Sequence, residues 1–219
     1  MPIACTYTPP SDKPEILHID DDLIIVNKPA GLLSVPGRGK DKQDCLISRV
    51  HAEYPDALIV HRLDMPTSGI LILARNPATH RQLSQKFQER TIKKEYIAIV
   101  RGIVTESTGE INLPLITDWP NRPKQKVDHQ NGKPSLTRYE VISVNEKQQT
   151  TRLKLTPETG RSHQLRVHLL SLGHVIVGDA LYSKNEAQKK TRLHLHANKI
   201  IFSHPTSKKT LCIECNCPF

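Results

Sequence analysis

The chain has 219 residues, a length that fits one large domain or two small ones. Hydrophobic residues make up 37% of it and charged residues 24%, enough to bury a core, so wholesale disorder is excluded. The formal net charge is +9, and because residues 1–22 hold one base and five acids, residues 23–219 carry +13. This balance favours a polyanionic partner without identifying it.

Several protein classes can be set aside from the sequence. No stretch approaches the roughly 18 to 20 apolar residues that span a bilayer, so we expect no membrane insertion. The N-terminus lacks a basic segment followed by an apolar one and does not resemble a secretory signal. The cysteines are odd in number and mostly far apart, which favours reduced thiols and a cytoplasmic location: Cys5, Cys45, Cys212, Cys215 and Cys217.

The order of structural signals predicts an α+β fold. Residues 1–14 contain four prolines and are predicted to be an extended N-terminal arm, ahead of one domain at 15–219. Predicted strands lie at residues 15–19, 23–27, 69–74, 95–100, 137–144, 151–156, 194–202 and 210–214. Predicted helices are one capped by Asp44 and ending near residue 53, one at 78–90 after Asn76 and Pro77, and one at 162–172. Residues 102–134 are predicted to be rich in turns. We therefore expect a mixed, largely antiparallel sheet flanked by a few helices, with a strand–helix–strand unit at 69–100.

One polar loop stands out between a short apolar run and a buried strand. Residues 61–69 read HRLDMPTSG, and such a position projects side chains from a rigid scaffold. With Arg62 within reach, Asp64 would stay ionised at neutral pH and could act as a nucleophile or a base. Alternatively, Asp64 only caps a turn ahead of Pro66.

A second cluster of polar residues spans 159–168, TGRSHQLRVH, and enters a predicted helix. Arg161, Ser162 and the free amides at the helix start could hold a phosphate. His163 and Arg166 are placed opposite the apolar stripe of the helix, so Arg166 could reach out of the core toward an anion or a carboxylate. The alternative is a solvated helix face.

Two basic stretches would suit an RNA or DNA partner. Residues 75–101 hold seven bases and two acids, and residues 119–126 place Arg122, Lys124 and Lys126 beside Trp119. An aromatic ring among cations can stack on an unpaired base while the cations hold phosphates. The alternatives are a solvated helix face and a proline-stiffened loop.

Metal binding finds little support in the sequence. His163 and His168 are five residues apart rather than four, and no H-E-x-x-H motif includes them, His174 or Asp179. The C-terminal C-x-x-C-x-C offers three thiols where a closed zinc site uses four ligands. Nucleotide-binding glycine motifs are also absent from the sequence. We expect no metal.

Taken together, these residues resemble the RluA family of pseudouridine synthases. The family signature H-R-L-D-x-x-T-S-G is matched at every fixed position by residues 61–69. Three further segments resemble family motifs: NKPAGLLSVPG at 27–37, KEYIAIV at 94–100 and GRSHQLRVH at 160–168. Many relatives carry an S4-type RNA-binding domain before the catalytic one, whereas about 14 residues precede the first predicted strand here, so we expect the catalytic domain alone.

The resemblance implies that uridine in RNA is isomerised to pseudouridine, without a cofactor. Asp64 would be the nucleophile, attacking either ribose C1′ or the base, and Arg166 would pair with its carboxylate. Tyr96 would lie against the uracil and assist proton removal from C5. The target nucleotide must leave its stack, and Arg62 would fill the gap.

The resemblance also suggests the RNA contacts and the substrates. The expected substrate-binding residues are Arg62, His61, Lys28, Arg161, His163, Trp119, Arg122, Lys124 and Lys126, with His61 shaping the loop rather than taking part in chemistry. Hairpins of 23S rRNA and of tRNA anticodon loops are the expected partners of a monomeric enzyme. Two alternatives remain: a non-catalytic RNA-binding module, and a glycosidase that removes the base. Glycoside hydrolysis uses two carboxylates, whereas the signature loops hold one, which disfavours the glycosidase.

Overall fold

The computed structural model describes residues 7–184 and 192–219, which contain twelve β-strands and three α-helices. The strands are β1 (Glu15–Ile19), β2 (Leu23–Lys28), β3 (Leu58–Ile59), β4 (Ser68–Ala74), β5 (Lys93–Arg101), β6 (Thr108–Asn112), β7 (Leu115–Thr117), β8 (Gln125–Val127), β9 (Leu136–Asn145), β10 (Thr150–Pro157), β11 (Leu195–Ser203) and β12 (Thr210–Glu214). The helices are α1 (Leu46–His51), α2 (Pro77–Gln88) and α3 (Gln164–Ser171).

Ten strands form one sheet, in the order β1-β2-β4-β11-β5-β10-β9-β6, with β12 paired to β11 and β3 to β4. β7 and β8 form a separate hairpin. Among the described strands, β4 and β11 are the only parallel neighbours, which confirms a mixed, largely antiparallel sheet. No helix in this part of the chain is long and apolar enough to cross a membrane.

Elements with strong local signals are confirmed. Asp20 Oδ1 accepts the N–H groups of Asp22 and Leu23, both at 2.9 Å, and so closes the predicted β1–β2 hairpin. All seven residues of β4 are buried, as its apolar run predicts. Asn76 Oδ1 accepts the Thr79 N–H at 2.8 Å and caps α2 directly before Pro77.

Three predictions differ from the structure. α1 is capped by Cys45 and Ser48, not by Asp44, because Arg49 engages both carboxylate oxygens of Asp44. α3 starts two residues later than predicted. The segment 102–134 contains the short strands β6, β7 and β8 in addition to turns. The predicted strand–helix–strand unit is present as β4, α2 and β5, and β11 lies between its two strands in the sheet.

Gly69 allows β4 and β11 to approach closely at one end of β4, next to the place where the sheet opens. β4 pairs with β11 at Ser68 and Gly69, whereas its other end pairs with β3 at Leu73 and Ala74. A Cβ atom at Gly69 would lie 2.3 Å from the Ala197 carbonyl oxygen, and the φ of Gly69 is +112°, so only glycine fits. The strands diverge beyond this point, which leaves an opening between β3 and β5.

The core has two clusters on one face of the sheet and one on the other. α1 covers the β2–β4 part, α3 covers the β5–β10 part, and α2 packs on the opposite face. Tyr96 on β5 contacts both the α1 and the α3 clusters. The gap between these clusters therefore exposes Tyr96 to the opening.

Candidate active site

A cleft of about 1270 Å³ lies at the opening between β3 and β5. Its wall is built from segments far apart in the chain: the loop after β3, strand β5, the β7–β8 hairpin and the loop before α3. Nine of the predicted site residues line it: His61, Arg62, Asp64, Tyr96, Trp119, Arg122, Arg161, His163 and Arg166. Lys28, Lys124 and Lys126 lie outside the wall.

The signature loop is held rigidly on both sides of Asp64. Ser34 Oγ donates to the Leu63 carbonyl at 2.8 Å and accepts the Leu63 N–H at 3.2 Å. The Asp64 carbonyl accepts the Thr67 N–H at 3.0 Å. Within the described residues, the Asp64 carboxylate caps no turn, and its side chain is 26% exposed to the cleft. The turn-capping interpretation is therefore wrong.

Arg166 is the cation beside Asp64. Its Nη1 lies 3.3 Å from Asp64 Oδ2, while Nε and Nη2 donate to the two oxygens of Asp179, each at 2.7 Å. The side chains of Arg166 and Asp179 are 2% and 0% exposed. Burial disfavours the charged guanidinium, but the Asp179 hydrogen bonds and charge outweigh it and raise the pKa of Arg166.

Arg166 contacts carboxylates, as one of its interpretations predicts, but it is buried between two of them, so the alternative of a solvated helix face is wrong. One expectation is corrected by this arrangement. Arg62 forms no ion pair with Asp64 among the described residues and is exposed on the cleft wall. The side chains of Arg62 and Asp64 point apart although they are close in sequence, whereas the buried helix α3 brings Arg166, 102 positions away, into contact with Asp64.

His163 is the second ring near Asp64. Its Nε2 lies 3.8 Å from Asp64 Oδ2, and its backbone is left-handed, with φ of 53°, at the start of α3. Burial lowers the pKa of His163 more than the Asp64 charge raises it, so the imidazole is neutral near pH 7. Arg161 and Ser162 are exposed, and the Arg161 N–H is already bonded to Gln164 Oε1 at 3.0 Å.

Tyr96 faces the cleft from the middle of β5. Burial, and secondly the negative charge of Asp64, raise the pKa of Tyr96 above its usual value. The phenol is therefore protonated at neutral pH. Leu195 of β11 and Leu165 of α3 also line the cleft, so the phenol has apolar neighbours.

The β7–β8 hairpin carries the aromatic and basic residues predicted for nucleic acid. The Trp119 side chain is 65% exposed, and the Arg122 guanidinium carbon lies 4.1 Å from the centre of its ring. Both line the cleft. Lys126 instead lies 3.5 Å from Asp128, and Lys124 is partly buried outside the cleft wall.

Lys28 and His61 support the loop from behind. The Lys28 side chain is fully buried, and its Nζ donates to the carbonyls of Leu32 at 2.7 Å, Pro29 at 2.9 Å and Met65 at 3.1 Å. Burial lowers its pKa to about 7. His61 Nε2 accepts the Ile72 N–H at 2.9 Å, and burial lowers the pKa of His61 to about 3, so this ring is neutral.

Comparison with known proteins identifies the family. Residues 22–171 match the family described as RNA pseudouridylate synthase, more than half of the chain. The chain belongs to this family. It is an RNA pseudouridine synthase, an isomerase that converts uridine in RNA to pseudouridine. The described residues form one synthase domain, with no S4-type domain among them.

Several relatives cover nearly the whole synthase. A protein of Yersinia pestis named dual-specificity RNA pseudouridine synthase RluA is 48% identical over 205 residues, which cover 93% of this chain and 99% of that protein. Its Escherichia coli K12 namesake is 46% identical, covering 97% and 98%. The solved structure of human RNA pseudouridylate synthase domain containing 1 has a TM-score of 0.80 and 29% identity, covering 97% and 87%.

Sequence reasoning missed two residues of the synthase site, Asp179 and Tyr182. Asp179 was weighed only as a metal ligand, although a lone acid in the apolar segment 175–180 is a signal for a buried cationic partner. Tyr182 contacts His163 and the Gln125 backbone through its hydroxyl. A tyrosine in a loop offers no local signal for such contacts.

The metal candidates of the sequence are not brought together in the synthase. His168 bonds to Thr137 and to a backbone carbonyl, and His174 bonds to the Arg101 carbonyl. In the described part of the chain, four cysteines are free thiols: Cys45, Cys212, Cys215 and Cys217. Cys5 lies outside the described residues.

Proposed function

We propose that Asp64 is the nucleophile of the isomerisation and that Arg166 orients it. The carrying observation is the contact of 3.3 Å between Arg166 Nη1 and Asp64 Oδ2, in a cleft large enough for an extruded nucleotide. Asp179 fixes the guanidinium, so the carboxylate is held by a preorganised donor. Asp64 attacks either ribose C1′ or the uracil; in both cases the N1 glycosidic bond breaks and a C5 bond replaces it.

We propose that Tyr96 lies against the uracil and assists removal of the C5 proton. Burial, and secondly the charge on Asp64, raise the pKa of Tyr96 and keep the phenol protonated at neutral pH. The C5 proton leaves only after C5 has bonded to ribose C1′, and Tyr96 is the side chain that we place beside C5 at that stage.

The RNA substrate is proposed to bind across the cleft rims. Arg62, Arg161 and Arg122 are exposed cations on the wall, and Trp119 offers an aromatic face for an unpaired base. We propose that Arg62 fills the gap left by the extruded nucleotide. Because Lys28 is enclosed by carbonyls, we assign it to loop support; His61 has a similar role, and Lys124 and Lys126 would reach only RNA that extends beyond the cleft.

We propose 23S rRNA and tRNA stem-loops as the substrates; the relatives named dual-specificity RNA pseudouridine synthases support more than one kind of RNA substrate. We also propose that the enzyme acts as a monomer in the cytoplasm, where its free thiols would stay reduced. Pseudouridine mapping by chemical adduct and reverse-transcription stops, in total RNA from cells with and without the gene, identifies the modified uridines. A map unchanged by loss of the gene would contradict these substrates.

The decisive test of the site is Asp64→Asn, which keeps the size of the side chain. We expect no pseudouridine and no adduct with 5-fluorouridine RNA, while RNA binding survives. Retained turnover would overturn the assignment of Asp64. Release of free uracil by the wild type would instead indicate a glycosidase. If the cleft variants, Asp64→Asn included, left every measured activity unchanged, the protein would be a non-catalytic RNA-binding module.

A further inference from the structure

Tyr182 contacts three parts of the site at once, although it lies in the loop after α3 and not in the cleft wall. Its hydroxyl accepts the Gln125 N–H of β8 at 2.8 Å and lies 2.8 Å from His163 Nδ1. Its ring centre lies 5.1 Å from the Arg166 guanidinium carbon. The proposed chemistry of Asp64 does not use this side chain, so these contacts require another explanation.

The hydrogen bonds of Tyr182 give its hydroxyl proton two possible acceptors. The hydroxyl has one proton to donate, either to His163 Nδ1 at 2.8 Å or to the Gln125 carbonyl at 3.4 Å. The shorter contact is to a neutral ring, because burial lowers the pKa of His163. Burial also raises the pKa of Tyr182 to about 12, so the hydroxyl keeps its proton. When the hydroxyl donates to Nδ1, His163 carries its hydrogen on Nε2, the atom that faces Asp64.

The loop that carries Tyr182 is fixed by the same carboxylate that holds Arg166. Asp179 Oδ1 accepts the N–H groups of Leu181 at 3.0 Å and Tyr182 at 3.1 Å, in addition to Arg166 Nη2. The rings of Tyr182 and His163 meet edge to face, with centres 5.7 Å apart. Tyr182 is therefore a fixed point against which other parts can be positioned.

The hairpin needs such a fixed point. β7 and β8 have three residues each, and a short two-stranded hairpin is marginally stable by itself. This hairpin presents Trp119 and Arg122 to the cleft. The bond from Gln125 N–H to Tyr182 ties its second strand to the body of the protein.

We propose that Tyr182 is a positioning residue that couples the β7–β8 hairpin to the orientation of His163 beside Asp64. The hairpin carries the proposed RNA contacts and His163 faces Asp64, so the seating of the RNA and the hydrogen-bond state of His163 depend on one hydroxyl. This inference rests on the proposed role of Asp64.

Tyr182→Phe tests the proposal because it keeps the ring against Arg166 and removes only the hydroxyl. With an unmodified tRNA transcript as substrate, we expect KM to rise about tenfold, with kcat changed less than about twofold. Nitrogen-15 NMR of His163 should show a loss of the Nε2–H tautomer. Tyr139→Phe is the matched control, since the Tyr139 hydroxyl makes no hydrogen bond among the described residues; it should leave both readouts unchanged.

A second pair of variants separates coupling from a merely structural effect. In a Trp119→Ala background the hairpin has lost its proposed stacking contact with RNA, so adding Tyr182→Phe should raise KM less than it does in the wild type. Gln125→Pro removes the N–H that donates to the Tyr182 hydroxyl and should reproduce the rise in KM. This variant keeps the proposal testable if Tyr182→Phe does not fold.

Each outcome decides between the two proposals. Wild-type KM and an unchanged His163 tautomer in Tyr182→Phe, or full additivity with Trp119→Ala, would overturn the role of Tyr182. If Asp64→Asn is inactive at the same time, the proposed function stands without it. Turnover by Asp64→Asn would overturn the nucleophile assignment, whereas the KM effect of Tyr182→Phe would still support the link to the hairpin.

Discussion

Asp179 accepts hydrogen bonds from two of the three side-chain nitrogens of Arg166, Nε and Nη2, and the third, Nη1, faces Asp64. The contacts to Asp179 are 2.7 Å long, whereas the contact to Asp64 is 3.3 Å. Arg166 is therefore bound more tightly to Asp179, and the longer contact leaves the Asp64 carboxylate free to separate from Arg166 during the reaction. A nucleophile that must form and break a covalent bond benefits from a neighbour that orients it without holding it fast.

Asp179→Asn should therefore destabilise the enzyme and reduce turnover. Removing the closer partner leaves the buried Arg166 charge with only its longer contact to Asp64, and we expect a loss of up to about 3–5 kcal/mol in the free energy of unfolding. Urea denaturation measures this, and pseudouridine assays measure turnover. Asp56→Asn is the control, because its pair with Arg75 is exposed and its loss should not shift the midpoint. Equal effects of the two variants would contradict this account.

Gly69→Ala should disrupt the junction of β4 and β11. The added Cβ would overlap the Ala197 carbonyl oxygen, and we expect a loss of roughly 4 kcal/mol or more in stability together with activity. Gly173→Ala is a matched control: its φ is +86°, but nothing lies within 4 Å of the new Cβ. It should lose about 1 kcal/mol and keep full activity. Thermal denaturation of both variants tests whether the loss of stability comes from the overlap with Ala197 rather than from the positive φ that the two glycines share.

Lys28 should give the protein a specific pH dependence. An unfolded lysine titrates near 10.5 and the buried Lys28 near 7, so between these values the unfolded chain binds more protons than the folded one. The stability of the wild type relative to Lys28→Met should therefore rise with pH across this window, by at most about 1.4 kcal/mol per pH unit. Chemical denaturation from pH 6 to 10 tests this, with exposed Lys13→Met as the control. A difference that is flat in pH would contradict the expectation.

RNA binding should separate into an electrostatic part and a stacking part. Residues 23–219 carry +13, so affinity should fall steeply with salt. Arg122→Ala should reduce the slope of log K against log salt by about 1, whereas Trp119→Ala should keep the slope and weaken binding by about 1–3 kcal/mol. Binding titrations at several salt concentrations distinguish them. A slope changed by Trp119→Ala instead would contradict the assignment.

Local signals predicted much of the fold. The β1–β2 hairpin, β4 and α2 are set by an acidic turn, an apolar run and the Asn76–Pro77 cap, all readable within a few residues. The cap of α1 was mispredicted because Asp44 is drawn to Arg49, a side-chain contact that capping preferences do not contain.

The site was only partly predictable. The loop around Asp64 stood out by composition, and its pairing with Arg166 followed from the family resemblance rather than from spacing. Arg62 was the nearest cation in sequence, yet the three-dimensional neighbour comes from α3. The lone acid in the apolar segment 175–180 indicates that Asp179 has a buried cationic partner, but the sequence does not indicate which one, and it gives no signal for the contacts of Tyr182.

The junction of β4 and β11 joins segments made at very different times during translation. Ser68 Oγ contacts His196 Nδ1 across 128 residues of chain. A ribosome that has synthesised the signature loop must still make more than half of the protein before the neighbouring strand exists. In a nascent chain, β4 and β5 therefore cannot take their final relative positions until β11, which lies between them in the sheet, has been synthesised.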